Sequence, residues 1–160
     1  MALHKAPDGS IHDDMGGTAL HLLPAGSVQI TDAEADKILN PPRQLPDVQA
    51  EARAKLIAAR DGEITGGFTY LGKTIDSDRD SVMSITGAGV AALAAKSAGL
   101  PYSVTWTCAD DSTIVLDADG VLGMVVTLAL FADAQHAKAR PLKDAIKSAK
   151  TSEDIGKVVW

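Results

Sequence analysis

Residues 102–132, YSVTWTCADDSTIVLDADGVLGMVVTLALFA, change rhythm part-way. From Tyr102 to Thr107, β-branched and aromatic residues alternate, the pattern of a half-buried strand. Asp110-Asp111 makes a turn, and Ser112–Leu116 returns as a second strand. Asp117 then stands where a helix cap belongs, ahead of a helix predicted from Ala118 to about Ala139. Within it, Val121–Ala132 is apolar on every face, the mark of a buried central helix. The alternative is that part of this run faces another subunit. Pro141 is expected to start a separate helix reaching about Lys150, and Thr151-Ser152-Glu153-Asp154 a last turn near Ile155. A hairpin followed by helices makes the fold class α+β.

Upstream, Ile64–Tyr70 reads as a strand, Leu71-Gly72-Lys73 as a turn and Thr74-Ile75 as the returning strand. Asp76, Asp78 and Asp80 follow at alternate positions, as in a calcium-binding loop. Such a loop also needs a glycine at its sixth position and a glutamate at its twelfth. Counting from Asp76, those places hold Ser81 and Gly87. Helix capping is the better account: Asp78 or Asp80 opens a helix to about Ser97, with Gly99 past its end. Gly87-Ala88-Gly89, with Ala91, Ala92, Ala94 and Ala95, gives this helix a surface of small side chains. That surface admits a close neighbour, expected to be Val121–Phe131.

The preceding segment, Asp47–Arg60, carries a narrow apolar stripe of Val48, Ala52, Leu56 and Ala59, and Asp61-Gly62 is expected to close it. A stripe so thin suits a helix docked on one side, or a helical arm in a small oligomer. Residues 40–46, NPPRQLP, read as an extended linker, with Asn40-Pro41-Pro42 ending a short helix over Asp32–Leu39. Thr31 and Glu34 form a capping box for that helix. The first thirty residues are irregular, with a Pro7-Asp8-Gly9 turn between stretches that could pair. Their apolar residues are too few for a core, so this segment must lean on something else. The expected organisation is an N-terminal β-rich arm over 1–45, a linker helix over 46–62, and a compact domain over 63–160. In that domain two β-hairpins pack on three to four helices. No internal repeat is visible.

The formal net charge is −6 and no basic run occurs, which argues against nucleic acid. One cysteine, Cys108, excludes an intrachain disulfide. No stretch near the N-terminus has the apolar length of a signal peptide. The longest apolar run has 12 residues, where crossing a bilayer takes about 20. A soluble, cytosolic chain with no membrane partner is expected. Cys108 lacks a neighbouring base: His4, His12, His21 and His136 all lie far off in sequence, so a packed small residue is the better reading. His12-Asp13-Asp14 has no further ligand to complete a metal site. Phosphate loops, nucleophile elbows and zinc-protease motifs are missing. A glycan-cleaving enzyme would need a carboxylate pair in a cleft, whereas most aspartates fall at caps and turns. No catalytic, metal or cofactor residue is assigned. Trp106 is expected to be a core ring. Trp160 is expected either to tuck in or to face a partner.

Two stretches carry a family resemblance. LPAGSVQITDAEADKILNPP, followed by a charged helix, resembles the tail-fibre assembly proteins of tailed bacteriophages over about residues 20–58. The stretches GGFTYLGKTIDSDRDSVMSITGA, VTWTCADDSTIVLDADGVLGM and KARPLKDAIKSAKTSEDI resemble a domain of unknown function common in phage tail-fibre-region proteins. Tyr70, Gly72, Ile75, Asp76, Asp78, Asp80, Ile85, Gly87, Trp106, Asp110, Leu142, Lys143 and Ile146 occupy that pattern's places, and Cys108-Ala109-Asp110-Asp111 departs from it only at a turn. The resemblance implies a non-enzymatic assembly chaperone or accessory protein that binds the tail fibre. The alternative is a stoichiometric component of the tail tip or fibre attachment site. It places the protein in the host cytoplasm during assembly, or retained in the virion tail. Its partners would be the fibre protein and further copies of the chain in a homo-oligomer. The residues expected to bind a partner are Leu3, Leu20, Leu22, Leu23 and Trp160.

Overall fold

A computed structural model describes residues 2–41 and 43–160; Met1 and Pro42, the latter in the expected linker, lie outside the described residues. The fold is α+β. The chain divides into two compact units, 1–44 and 45–160.

In the first unit, strands β1 (Leu3–Lys5), β2 (Ile11–Asp13) and β3 (Val28–Ile30) form an antiparallel sheet in the order β2-β1-β3. Leu3 lies opposite both Asp13 and Ile30. The turn at Pro7-Asp8-Gly9 joins β1 to β2, closed by the Ala6 amide on the Ser10 carbonyl. Helix α1 (Asp32–Leu39) starts at a complete capping box: the Glu34 amide donates to the Thr31 hydroxyl, and the Thr31 amide to the Glu34 carboxylate at 2.8 Å.

The second unit begins with α2 (Leu45–Thr65), which packs along α4 (Ala118–Ser148) and α5 (Ser152–Gly156). The helix set apart as a linker thus belongs to this unit. It also runs through Asp61-Gly62, so Ile64 and Thr65, expected in a strand, are helical. The stop lies at Gly67, in the left-handed region at φ +100°, where a Cβ would sit 3.0 Å from the Thr74 methyl. Ser77, almost fully buried, secures this corner: its hydroxyl donates to the Ile64 carbonyl at 2.5 Å and accepts from the Gly67 amide at 2.9 Å.

Strands β4 (Phe68–Tyr70) and β5 (Lys73–Ile75) pair around Leu71 and Gly72, at φ +49° and +76°, the positive pair of a tight hairpin turn. Helix α3 (Arg79–Ser97) follows, capped by Asp78, whose carboxylate accepts from the amides of Asp80 and Ser81. Strands β6 (Ser103–Thr107) and β7 (Thr113–Asp117) make the second hairpin, and Asp117 caps α4 by accepting from the Gly120 amide. The same order, hairpin then Asp-capped helix, therefore occurs twice, although the sequence shows no repeat. The Ala109 amide donates to the Thr74 carbonyl at 2.9 Å and ties one hairpin to the other.

Helix α4 is one continuous element through Pro141, not two helices divided there. Beyond the proline, Ile146 is buried, and the Gln49 side-chain amide of α2 lies against the carbonyls of Ile146, Lys147 and Ala149 at 3.1–3.3 Å. Packing on α2 thus overrides the local helix-breaking tendency of proline. The core joins Phe68 and Ile75 of the first hairpin, Ile85 and Ala92 of α3, Cys108 and Leu116 of the second hairpin, and Val121, Met124 and Leu128 of α4. Cys108 is a buried thiol in that core. Trp106 is half-buried and packs against it.

Candidate functional site

Large exposed apolar side chains occur in both units. In the first, the buried apolar residues are Ala6, Ala19 and Ala35 alone among the described residues. Three methyl groups exclude little water, since a buried CH₂ is worth about 0.8 kcal/mol. Around them Met15, Leu20, Leu22, Val28 and Leu39 are exposed, Leu22 at 72%. Polar bonding compensates in part. The buried Asp14 carboxylate accepts from the amides of Ala2 at 2.8 Å and Gly16 at 3.0 Å, and these bonds hold its pKa below the ordinary carboxylate value. His4, also buried, sets its Nε2 3.7 Å from that carboxylate. The His12-Asp13-Asp14 run is used in local turns: His12 pairs with the Ser10 hydroxyl and Asp13 accepts from the Met15 amide.

Of the residues expected to bind a partner, Leu20 and Leu22 stand exposed on a short 3₁₀ turn over Leu20–Leu22. Leu3 on β1 and Leu23 are half-buried. Among the described residues strand β3 pairs with β1 alone, which leaves its other edge unpaired. A cleft of about 620 Å³ lies beside it, lined by Ala6, Pro7, Val28, Ile30 and Ile38 with Lys5, Glu34 and Lys37. Sequence reasoning missed Val28, Ile38 and Leu39. The signal available was that the capping box fixes the phase of α1, leaving Ala35 as its one buried position.

Trp160 belongs to the second unit. It is half-buried beside Ala59 and Glu63 of α2 and Gly66 just past its end, with the Lys138 ammonium 4.1 Å from its ring centre. That is cation–π distance. Its indole nitrogen is buried with no hydrogen-bond partner among the described residues.

A second cleft, about 400 Å³, is lined by Asp76, Asp80, Ser81, Ser84, Val104 and Trp106, among others. Asp76 and Asp80 are exposed, whereas Asp78 is taken up as the α3 cap. Bonds from Ser81 hold Asp78 below the ordinary carboxylate range. Asp110, at the turn of the second hairpin, accepts from Ser112 and Lys73, and these bonds lower its pKa to about 2. Asp78 thus serves a cap and Asp110 a turn. Among the described residues, no group of three or more His, Cys, Asp or Glu could hold a metal ion.

Helices α3 and α4 also carry exposed large apolar side chains. Met83, Val90 and Leu93 of α3 and Val126 and Leu130 of α4 are 56–66% exposed. The run Val121–Ala132, expected to be buried all round, therefore turns only one side to the core: Val121, Met124 and Leu128.

The family described as "Domain of unknown function (DUF4376)" matches residues 47–159, from the first turn of α2 to beyond α5. No curated protein and no solved structure matches the chain.

Proposed function

The chain belongs to the DUF4376 family, whose description assigns no activity, and on that premise we propose that it is a non-enzymatic protein that binds a phage tail-fibre protein during assembly. One observation carries this reading. The first unit has a buried apolar core of three alanines yet exposes Leu20, Leu22, Val28 and Leu39 beside an open strand edge. A unit that cannot bury its own apolar surface gains stability by covering it on a partner. The β3 edge and its apolar cleft suit an extended segment of the fibre protein. Such a segment adds a strand through main-chain bonds and places alternate side chains in the cleft. The resemblance of residues 20–58 to tail-fibre assembly proteins names the partner class.

The test is co-expression with the tail-fibre protein of the same phage and capture on the tagged chain. The double variant Leu20→Asp, Leu22→Asp is expected to lose at least 10-fold in affinity while the second unit unfolds unchanged. Wild-type chain that fails to capture the fibre protein would sink the proposal. Mass spectrometry of purified particles then separates two forms of the reading. Absence from the particle means a chaperone that departs; fixed stoichiometry means a tail component.

A further inference from the structure

We infer that the outer edge of β6 is a docking site for an extended segment of a partner protein that carries Lys or Arg at alternate positions. The site lies within the second unit and stands or falls apart from the binding proposed for β3. The ladder of the second hairpin fixes which of its main-chain groups are free. The Cys108 amide donates to the Ser112 carbonyl at 2.8 Å. In an antiparallel pair every second residue bonds across, so Trp106 bonds to Ile114 and Val104 to Leu116. Ser103, Thr105 and Thr107 therefore turn their amides and carbonyls away from β7. Among the described residues β6 pairs with β7 alone, and no other main-chain bond is made at these three positions.

The first hairpin covers only the far end of this edge. The Ala109 amide, the next outward group, donates to the Thr74 carbonyl of β5 at 2.9 Å. Past Ile75 the chain leaves β6 and turns through the Asp78 cap into α3. The cleft of about 400 Å³ opens there, with Val104–Thr107 on one side and Asp76, Asp80, Ser81 and Ser84 on the other. A strand bonded to Thr105 and Thr107 alternates its side chains between two faces. Every second one falls on the face of Val104 and Trp106, towards the start of α3.

Charge decides what those side chains are. Asp78 is taken by the α3 cap and Asp110 by Lys73 and Ser112, whereas Asp76 and Asp80 are exposed with no side-chain partner among the described residues. No Lys or Arg lines the cleft, and Arg79 falls by helical phase on the side of α3 away from Asp80, Ser81 and Ser84. Two carboxylates beside an unpaired edge favour a basic strand over an acidic one. A second copy offering its own β6 would bring its carboxylates to the same cleft, like charge against like. The strand itself carries none of the devices that keep an edge unpaired: Ser103–Thr107 has no proline, no lysine and no bulge.

The peptide acetyl-Thr-Lys-Val-Lys-Val-Thr-amide, titrated into the nitrogen-15-labelled full chain, tests this. Saturable shifts are expected at the amides of Ser103, Thr105 and Thr107. The same peptide with glutamate for both lysines should leave them unmoved. Replacing both carboxylates, Asp76→Asn with Asp80→Asn, should weaken binding about 5-fold or more. Thr105→Pro removes an outward amide and spares the bonds to β7, a place where an edge strand accepts proline. It should abolish binding while the melting temperature reports an intact fold. Should that variant misfold, the peptide N-methylated at both valines asks the same question of the unaltered chain, because their amides face β6 when the lysines face α3. No saturable shift along β6 would overturn the inference and leave Asp76 and Asp80 as charges that merely guard the edge. Binding indifferent to peptide charge, or shifts confined to Gln29 on β3, would overturn it too.

Discussion

Gly87 and Gly89 stand two positions apart in α3 and answer opposite demands. A Cβ on Gly89 would sit 2.7 Å from a methyl of Val125, while one on Gly87 would meet nothing within 4 Å. Glycine weakens a helix interior by about 1 kcal/mol relative to alanine, and only at Gly89 does close packing offset that cost. For Gly89 the compensation lies inside the chain, in the approach of α3 to α4. Gly89→Ala is therefore expected to destabilise by about 1–3 kcal/mol, the usual cost of overpacking. Adding Val125→Ala should recover part of that loss, and urea unfolding of the two single variants and the double variant measures the coupling. An unchanged midpoint in Gly89→Ala would show that the helices are further apart than the structure has them. The sequence marked the stretch from Gly87 to Ala95 as a surface of small side chains. It could not say which glycine touches α4, because that depends on a residue 36 positions away.

The helix-capping aspartates were legible for the opposite reason. Asp78 and Asp117 bond to amides two or three residues on, so the chemistry is contained in the local sequence. Alternation in Tyr102–Thr107 was legible in the same way. Element ends were not, where tertiary packing outweighed local preference: α2 passes Gly62 and α4 passes Pro141. The cost of a proline inside a helix is about 3 kcal/mol relative to alanine. It is borne here because Ala139 and Ile146, on either side, are buried and because Gln49 reaches the terminal carbonyls of α4. Pro141 itself is exposed, so replacing it leaves no cavity. Pro141→Ala should raise stability by about 2–3 kcal/mol, read as a higher melting temperature. A loss of stability instead would mean that the backbone geometry set by Pro141 is required for α4 to meet α2. Gln49 and Ser77 escaped the sequence reading altogether, since Gln49 reaches carbonyls some 97 to 100 positions away and Ser77 a carbonyl 13 positions away.

At the scale of the whole molecule, the two units differ in how they are held together. The second, over 45–160, has a core drawn from both hairpins, α3 and α4, and the family match begins within two residues of its start. The first, over 1–44, rests on three alanines, a buried His–Asp pair and the bonds of its turns. A unit of this size lies close to the roughly 40 residues below which a domain usually needs a disulfide, a metal or a partner to stand alone. The chain has no disulfide to offer, because its one cysteine is buried in the other unit. Removing residues 1–44 should therefore leave a protein that unfolds in one cooperative transition, with a midpoint within a few degrees of the full chain. The excised first unit should show no cooperative transition by circular dichroism, and should gain one only when its apolar surface is covered by a binding partner. If the truncated chain melts without cooperativity, the second unit depends on the first and the division at residue 44 is not a folding boundary. If the excised unit folds alone, its exposed leucines are not needed for its stability, and the argument that they must be covered by a fibre protein fails with it.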